Sequence, residues 1–406
     1  MTKPIFVATL HRPGDLLGGI QKHYSVFAAE AARRGQPVEV LTPFHAPKAL
    51  WFSLFGTGKV LERGGGPPYA WWYEYTRLTL LKRVLAARVP RQTPSVVYAQ
   101  DPVSTEAALT LKARGYPVEV VSAVHFNVST ADEWVGKGYL SAQHALYRRM
   151  LARDARVLPR ADRLVFVSRF MQEQVQARIP ELQGVPSRVV PNFVPAPGRA
   201  EAKTEPKADL ITVGTLEPRK NQGFLLQVLR CARERGYHYR LSIVGDGPSR
   251  SALQAQVEAL GLKAQVTFLG AQPHAADLLS GHRAYVHAAQ MESFGIVLVE
   301  ALAAGLPVFA VPVGGVPEVF SNGAEGHYWS PDDPKAAAAQ LIRVLENKTL
   351  YRRLAHAARA RHVSHFSVDA VQERLLGAVL GTLPTDPGPE VDPAAPALTE
   401  GATRGT

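Results

Sequence analysis

Residues 194–213 read VPAPGRAEAKTEPKADLITV, and the change of character inside this stretch decides the fold. Its first part, residues 194–208, is rich in Pro, Ala, Lys and Glu and has no apolar period, which is the composition of a linker. Leu210–Val213 then opens as a short apolar strand. Working back from the linker, apolar runs stand at Leu164–Val167, Val118–Val124, Val96–Ala99, Val38–Leu41 and Ile5–Leu10. Polar or helical residues separate them, as around Gln21–Arg34, which Gly35 is placed to end. Working forward, Leu210–Val213 is followed by Arg240–Val244, Gln265–Leu269, Ala284–His287 and Val308–Val311. Short apolar strands that alternate with helices imply a parallel sheet covered on both faces. The expectation is an α/β chain of two Rossmann-like, doubly wound domains facing each other across a cleft. Residues 1–193 form the first domain and 209–366 the second. Residues 367–383 are expected as a helix packing back on the first domain, and 384–406, rich in Pro, Ala, Gly and Thr, as a disordered tail.

The composition agrees with this division. A length of 406 residues exceeds the usual size of one hydrophobic core. Cys231 is the single cysteine, so no intramolecular disulfide can form, which fits a reducing compartment. Phe294–Val316 is long and mostly apolar, but Glu300 and the turn Gly305-Leu306-Pro307 interrupt it. It reads as a buried helix followed by a buried strand, not as a membrane span. Ile5–Leu10 is too short for the core of a signal peptide. The net charge of +11 lies wholly in the first half. Residues 1–193 hold 25 Lys and Arg against 14 Asp and Glu, whereas the remainder holds 21 of each. Such a surface suits anionic lipid, phosphorylated acceptors or nucleic acid as well as plain solvation. Leu50–Arg91 mixes Trp51, Trp71, Trp72, Tyr73 and Tyr75 with Lys82, Arg83, Arg88 and Arg91. That is either an ordinary amphipathic surface or an interfacial one.

Four stretches carry chemistry. In the first, His287-Ala-Ala-Gln-Met-Glu-Ser-Phe-Gly-Ile-Val-Leu-Val-Glu300, Glu292 falls in a loop after a strand and Glu300 on the helix that follows. Ser293 is expected to cap that helix near Phe294 or Gly295, where free amides and the helix dipole favour a diphosphate. A carboxylate accepting from two hydroxyls is a natural clamp for a ribose or a hexose diol. An acid within an otherwise apolar helix also demands a partner. In the second, Gly214-Thr-Leu-Glu-Pro-Arg-Lys-Asn221, Arg219 and Lys220 stand at a strand's carboxyl end. There they could neutralise a departing nucleoside diphosphate, and no Asp-x-Asp triplet offers to hold a metal. In the third, Gly18-Gly19-Ile20 turns from the first strand into the first helix. In the fourth, His125 follows Val118–Val124 and would face the cleft.

Together these stretches resemble the family 4 glycosyltransferases of the GT-B fold. The matching segments are Gly18-Gly19-Ile20-Gln21, Val190-Pro191-Asn192, Val213 to Asn221, Val244-Gly245-Asp246-Gly247-Pro248, Glu292 to Glu300, and Gly314-Gly315-Val316-Pro317-Glu318. The resemblance implies a retaining hexosyltransferase that uses a nucleoside-diphosphate sugar without a metal or other cofactor. The acceptor would be a carbohydrate, a lipid-linked glycan or a small molecule. The resemblance makes His125, Glu292, Arg219 and Lys220 the catalytic set. It makes Gly18, Gly19, Arg219, Lys220, Glu292, Ser293, Phe294, Gly295, Ile296 and Glu300 the donor-binding set, with Glu300 on the ribose and Glu292 on the sugar. The implied place is the cytoplasm, with peripheral contact to an anionic membrane and no nucleic-acid partner. Two departures stand out: Thr215 where many members carry Arg, and Phe126 where many carry a polar residue after the histidine.

Three rival readings compete with this one. A nicotinamide dehydrogenase needs a third glycine where Gly245-Asp-Gly247-Pro-Ser-Arg250 has Arg250. A phosphorylase of related architecture needs a lysine-bound pyridoxal cofactor. A non-catalytic sugar-nucleotide or glycan-binding protein would keep the clamps and lose the chemistry.

Overall fold

The computed structural model of the chain describes residues 2–12, 19–50, 58–126, 129–196 and 208–383. Six strands of the first half form one parallel sheet: β1 (Ile5–Ala8), β2 (Val38–Leu41), β3 (Ser95–Ala99), β4 (Val118–Val124), β5 (Arg163–Phe166) and β6 (Ser187–Val189). Their order is β2-β1-β3-β4-β5-β6. A second parallel sheet runs β12-β11-β10-β7-β8-β9. Its strands are β7 (Leu210–Val213), β8 (Leu241–Val244), β9 (Val266–Gly270), β10 (Ala284–His287), β11 (Val308–Ala310) and β12 (Gly326–Tyr328). Strands β1, β8, β10 and β11 are buried along their whole length, which is why they read as predominantly apolar runs without polar alternation.

Each sheet has one place where the chain reverses the direction in which it adds strands. In the first it lies between β1 and β3, in the second between β7 and β10. Ligands of open α/β sheets bind outside the carboxyl ends of the strands at such a point. The loops leaving β1, β7 and β10 carry the glycine turn, the Arg219-Lys220 pair and Glu292, so the topology alone brings these motifs together.

Phe294–Val316 folds as the helix Ile296–Ala303 followed by β11. Among the described residues no helix is long and apolar enough to cross a membrane. After the helix Lys348–Arg361, a five-residue π-turn, His362–Phe366, returns the chain to the first sheet. Ser367 caps the helix Val368–Leu380 by accepting from the Ala370 N–H at 3.2 Å. Its Val371, Leu375 and Val379 share a core with Ile5, Val7, Tyr24 and Phe27. Arg163 Nη2 donates to the Val379 carbonyl at 2.9 Å and holds the far end of the helix. The second half is therefore tied to the first at both ends. Residues 197–207 of the linker, the tail 384–406, Trp51 and Gly18 lie outside the described residues.

The two halves also meet directly. Glu318, on the short helix Val316–Val319, accepts the amides of Arg169 and Phe170 at 2.8 Å each. These amides open the helix Arg169–Arg178 of the first half, so a carboxylate from one half sits at the positive end of a helix in the other. Ser168 Oγ donates to the Ser293 carbonyl at 2.7 Å.

Candidate active site

Gly295 begins the decisive turn. It adopts φ 88°, ψ 65°, a left-handed conformation, and a Cβ there would lie 2.8 Å from Leu298 Cδ1. The helix consequently starts at Ile296, with Gly295 in the capping position and no side-chain cap. This corrects the expectation for Ser293. The left-handed turn leaves Ser293 two positions too early to cap, and its hydroxyl instead donates to the His125 carbonyl at 3.4 Å in the first half.

The cleft between the halves has a volume of about 460 Å³, within the range of small-molecule sites. Gly19, His125, Arg219, Lys220, Glu292 and the run Ser293–Ile296 all line it. Of the residues named from sequence, Gly18 lies outside the described residues, and Glu300 does not reach the cleft surface. Gly19 lies tight against the second half, since a Cβ on it would stand 3.1 Å from Ile296 Cγ2.

The two glutamates are buried in different company. Glu292 Oε2 accepts from Lys220 Nζ at 2.6 Å and lies 3.4 Å from His287 Nε2. Burial works to raise its pKa, but Lys220 and His287 outweigh it and hold the carboxyl well below the usual range. Glu300, in the helix Ile296–Ala303, is 5% exposed. Its Oε1 takes Lys22 Nζ at 2.5 Å, and its Oε2 is buried without a hydrogen-bond partner. Here burial prevails, opposed by Lys22 and reinforced by Asp277, and the pKa is raised.

Arg219 and Lys220 occupy a short 3₁₀ turn, Pro218–Lys220, beyond β7. Arg219 Nη2 pairs with Glu217 Oε1 at 2.6 Å, while its carbonyl accepts from Gln290 N–H at 2.8 Å and binds the β7 loop to the β10 loop. Thr215 also lines the cleft, so the position that departs from the family pattern brings a hydroxyl and not a cation.

His125 Nε2 stands 3.1 Å from Gln100 Oε1. An amide oxygen only accepts, so Nε2 carries the proton and Nδ1 is left as an acceptor. The His23 ring packs edge-on, 4.7 Å away, and itself meets the Tyr98 hydroxyl at 3.1 Å. Burial, then the neighbouring His23 and His11, pushes the His125 pKa well down, so the ring is neutral. Phe126 is buried in the core and adds no polar group to the cleft.

Sequence reasoning missed Lys22, Gln100, His23 and His287. Lys22 directly follows the quoted glycine turn, and His287 opens the quoted Glu292 stretch, so each had a local signal. Gln100 and His23 had none, because they meet His125 only when β3, β4 and the helix Gly19–Arg33 come together. Among the described residues no three His, Cys, Asp or Glu side chains gather as a metal site.

Two facing doubly wound halves whose reversal points share one cleft define the GT-B architecture. Residues 17–196 match the family described as Glycosyltransferase Family 4, and residues 198–361 match Glycosyl transferases group 1. The chain belongs to the family 4 glycosyltransferases. It is 34% identical over 132 residues to the N-acetyl-alpha-D-glucosaminyl L-malate synthase of Bacillus anthracis, a match covering 32% of this chain and 35% of that one. The match thus spans about a third of that relative's length. It is 28% identical over 387 residues to the GDP-mannose-dependent alpha-(1-6)-phosphatidylinositol monomannoside mannosyltransferase of Mycolicibacterium smegmatis, covering 90% of this chain and 94% of that one. A solved structure of Anabaena Alr3699/HepE in complex with UDP and glucose superposes with a TM-score of 0.64 at 18% identity, over 94% of this chain and 100% of that one.

Proposed function

We propose that this chain is a retaining glycosyltransferase that moves a hexose from a nucleoside-diphosphate sugar to a glycan, glycolipid or small-molecule acceptor without a metal. The observation that carries the reading is the convergence of His125, Arg219, Lys220 and Glu292 on one cleft, with Glu300 just behind it. Arg219 and Lys220 would take the diphosphate, whose charge grows as it leaves. Glu292, ionised, would accept from hydroxyls of the sugar, and neutral His125 would offer Nδ1 to another. Glu300 would take the ribose. The bond from the anomeric carbon to the diphosphate breaks as the acceptor oxygen attacks from the same face. The acceptor proton passes to a phosphate oxygen, so no side-chain nucleophile is required. The Mycolicibacterium smegmatis relative is named for a GDP-mannose donor and a phosphatidylinositol-linked acceptor. The Anabaena structure holds UDP and glucose. The first name supports a sugar-nucleotide donor and a lipid-linked glycan acceptor, and the second a cleft that takes a nucleoside diphosphate and a hexose.

The test is a screen of UDP-, GDP- and ADP-hexoses by thermal shift, because a ligand bound only by the native state raises the melting temperature. Release of nucleoside diphosphate is then measured with and without candidate acceptors, together with the anomeric configuration of the product. Binding without turnover on any acceptor would favour a non-catalytic sugar-nucleotide-binding protein.

A further inference from the structure

Lys22 lies in the first half, on the helix Gly19–Arg33, and Glu300 in the second, on the helix Ile296–Ala303. Their 2.5 Å pair joins positions 278 residues apart. Lys22 lines the cleft, whereas Glu300 does not. A residue of the cleft wall thus holds one oxygen of the buried carboxylate. Behind it, Glu300 Oε2 is buried with no hydrogen-bond partner. A buried carboxylate oxygen without a partner is costly, and its natural complement is a hydroxyl donor. A ribose supplies two such donors. A ribose diol that takes both oxygens of Glu300 competes with Lys22 for Oε1. Lys22, once displaced, would be a partly exposed cation on the cleft wall that has lost its carboxylate.

We propose that Lys22 selects phosphorylated nucleotides by ion exchange: the ribose diol takes Glu300 from Lys22, and the ligand's diphosphate takes Lys22 from Glu300. This rests on the donor reading given above and deepens it by adding a residue from the first half. A nucleoside diphosphate satisfies both partners of the broken pair. An unphosphorylated nucleoside satisfies Glu300 and strands Lys22, so its binding is opposed. The groups that face Glu300 agree with this arrangement. Asp277, on the helix Ala275–Leu279, adds unfavourable negative charge, and Lys22 is the cation that offsets it. Tyr285, on β10, has its hydroxyl against the Val213 carbonyl and is not available as a replacement. The exchange also swaps a direct tie between the halves for one that runs through the ligand.

Calorimetry with UDP against uridine and GDP against guanosine tests this, on wild type, Lys22→Met and Lys22→Gln, each first checked for its melting temperature. In both variants the diphosphate is expected to bind about ten- to a hundredfold more weakly, from loss of a charge-assisted bond. The nucleoside is expected to bind more tightly or unchanged, so the preference for diphosphate collapses. Equal weakening of both ligands, or no change in either, would overturn the proposal while leaving the donor reading intact. A wild-type chain that binds neither UDP nor GDP would overturn the donor reading, and this proposal with it.

Discussion

Glu292 and Glu300 lie within nine residues of each other, yet their surroundings drive them in opposite directions: Lys220 and His287 stabilise one anion, while burial strains the other. This difference predicts different defects. Glu300→Ala is expected to weaken nucleoside-diphosphate binding by about ten- to a hundredfold, the worth of a hydrogen bond to a charged group. Glu292→Gln is expected to leave nucleotide affinity nearly unchanged and to lower kcat by about a hundred- to a thousandfold. Calorimetry and steady-state kinetics on the same preparations separate the two, and a large affinity loss in Glu292→Gln would contradict the division. His23 gives a second prediction. Burial, opposed by Asn192, lowers its pKa to about 4. In the unfolded chain it titrates near 6.5. The native state binds fewer protons between these values, so stability is full above about 6.5 and falls as pH drops toward 4. The loss is of order 3 kcal/mol for a shift of that size. Urea midpoints measured across this window should decline in wild type and decline less steeply in His23→Phe, which cannot take the proton. A wild-type midpoint that is flat over the window would refute this account of His23.

Among the elements, the long buried strands were legible because both of their faces are covered, which leaves an apolar run with no alternation to misread. The edge strands β6 and β12 were not read, since they are only partly buried and show no apolar run, unlike the equally short but fully buried β11. The helix start at Ile296 was expected one or two residues too early, because a serine before an apolar run is an ordinary cap signal and left-handed glycine caps leave no such mark. The stretch that holds the helix Gly66–Arg88 reads from sequence as either an ordinary amphipathic surface or an interfacial one, and the structure sorts its aromatic and basic residues. Trp72 turns inward, while Trp71 and Tyr75 stack at 5.0 Å and are 45% and 51% exposed. Further along the same helix Lys82 and Arg83, with Arg114 from the neighbouring helix, line a basic groove. Exposed aromatics beside cations suit an anionic interface. Co-sedimentation with vesicles containing phosphatidylserine is expected to exceed that with neutral vesicles. It should fall with salt, and fall several-fold in Trp71→Ala with Tyr75→Ala. Binding indifferent to lipid charge, to salt and to these substitutions would make the face an ordinary solvated one.

At the scale of the whole molecule, sequence showed the contents of each half but not their pairing. Spacing such as that from Glu292 to Glu300 is visible within one loop and helix, whereas Lys22 with Glu300, Ser168 with Ser293 and Glu318 with the Arg169 and Phe170 amides each join distant segments. Gly314 to Glu318 was legible as a motif, yet its work became clear only with the first half in place. The carboxylate satisfies two amides at the start of the helix Arg169–Arg178, where a negative charge also meets the helix dipole. An end cap of this kind contributes about 0.5–2 kcal/mol. Here that energy acts on the relative placement of the two halves, because cap and helix belong to different ones. Glu318→Ala should therefore loosen the closed arrangement more than it harms either core. Small-angle scattering of the nucleotide-free variant is expected to give a larger radius of gyration than wild type. A saturating nucleoside diphosphate, which bridges the same cleft, should restore the wild-type value. Nucleotide affinity should drop by about two- to thirtyfold, the same free energy now spent on closing. A variant as compact as wild type with undiminished affinity would show that the Glu318 cap stabilises its helix alone and has no part in holding the halves together.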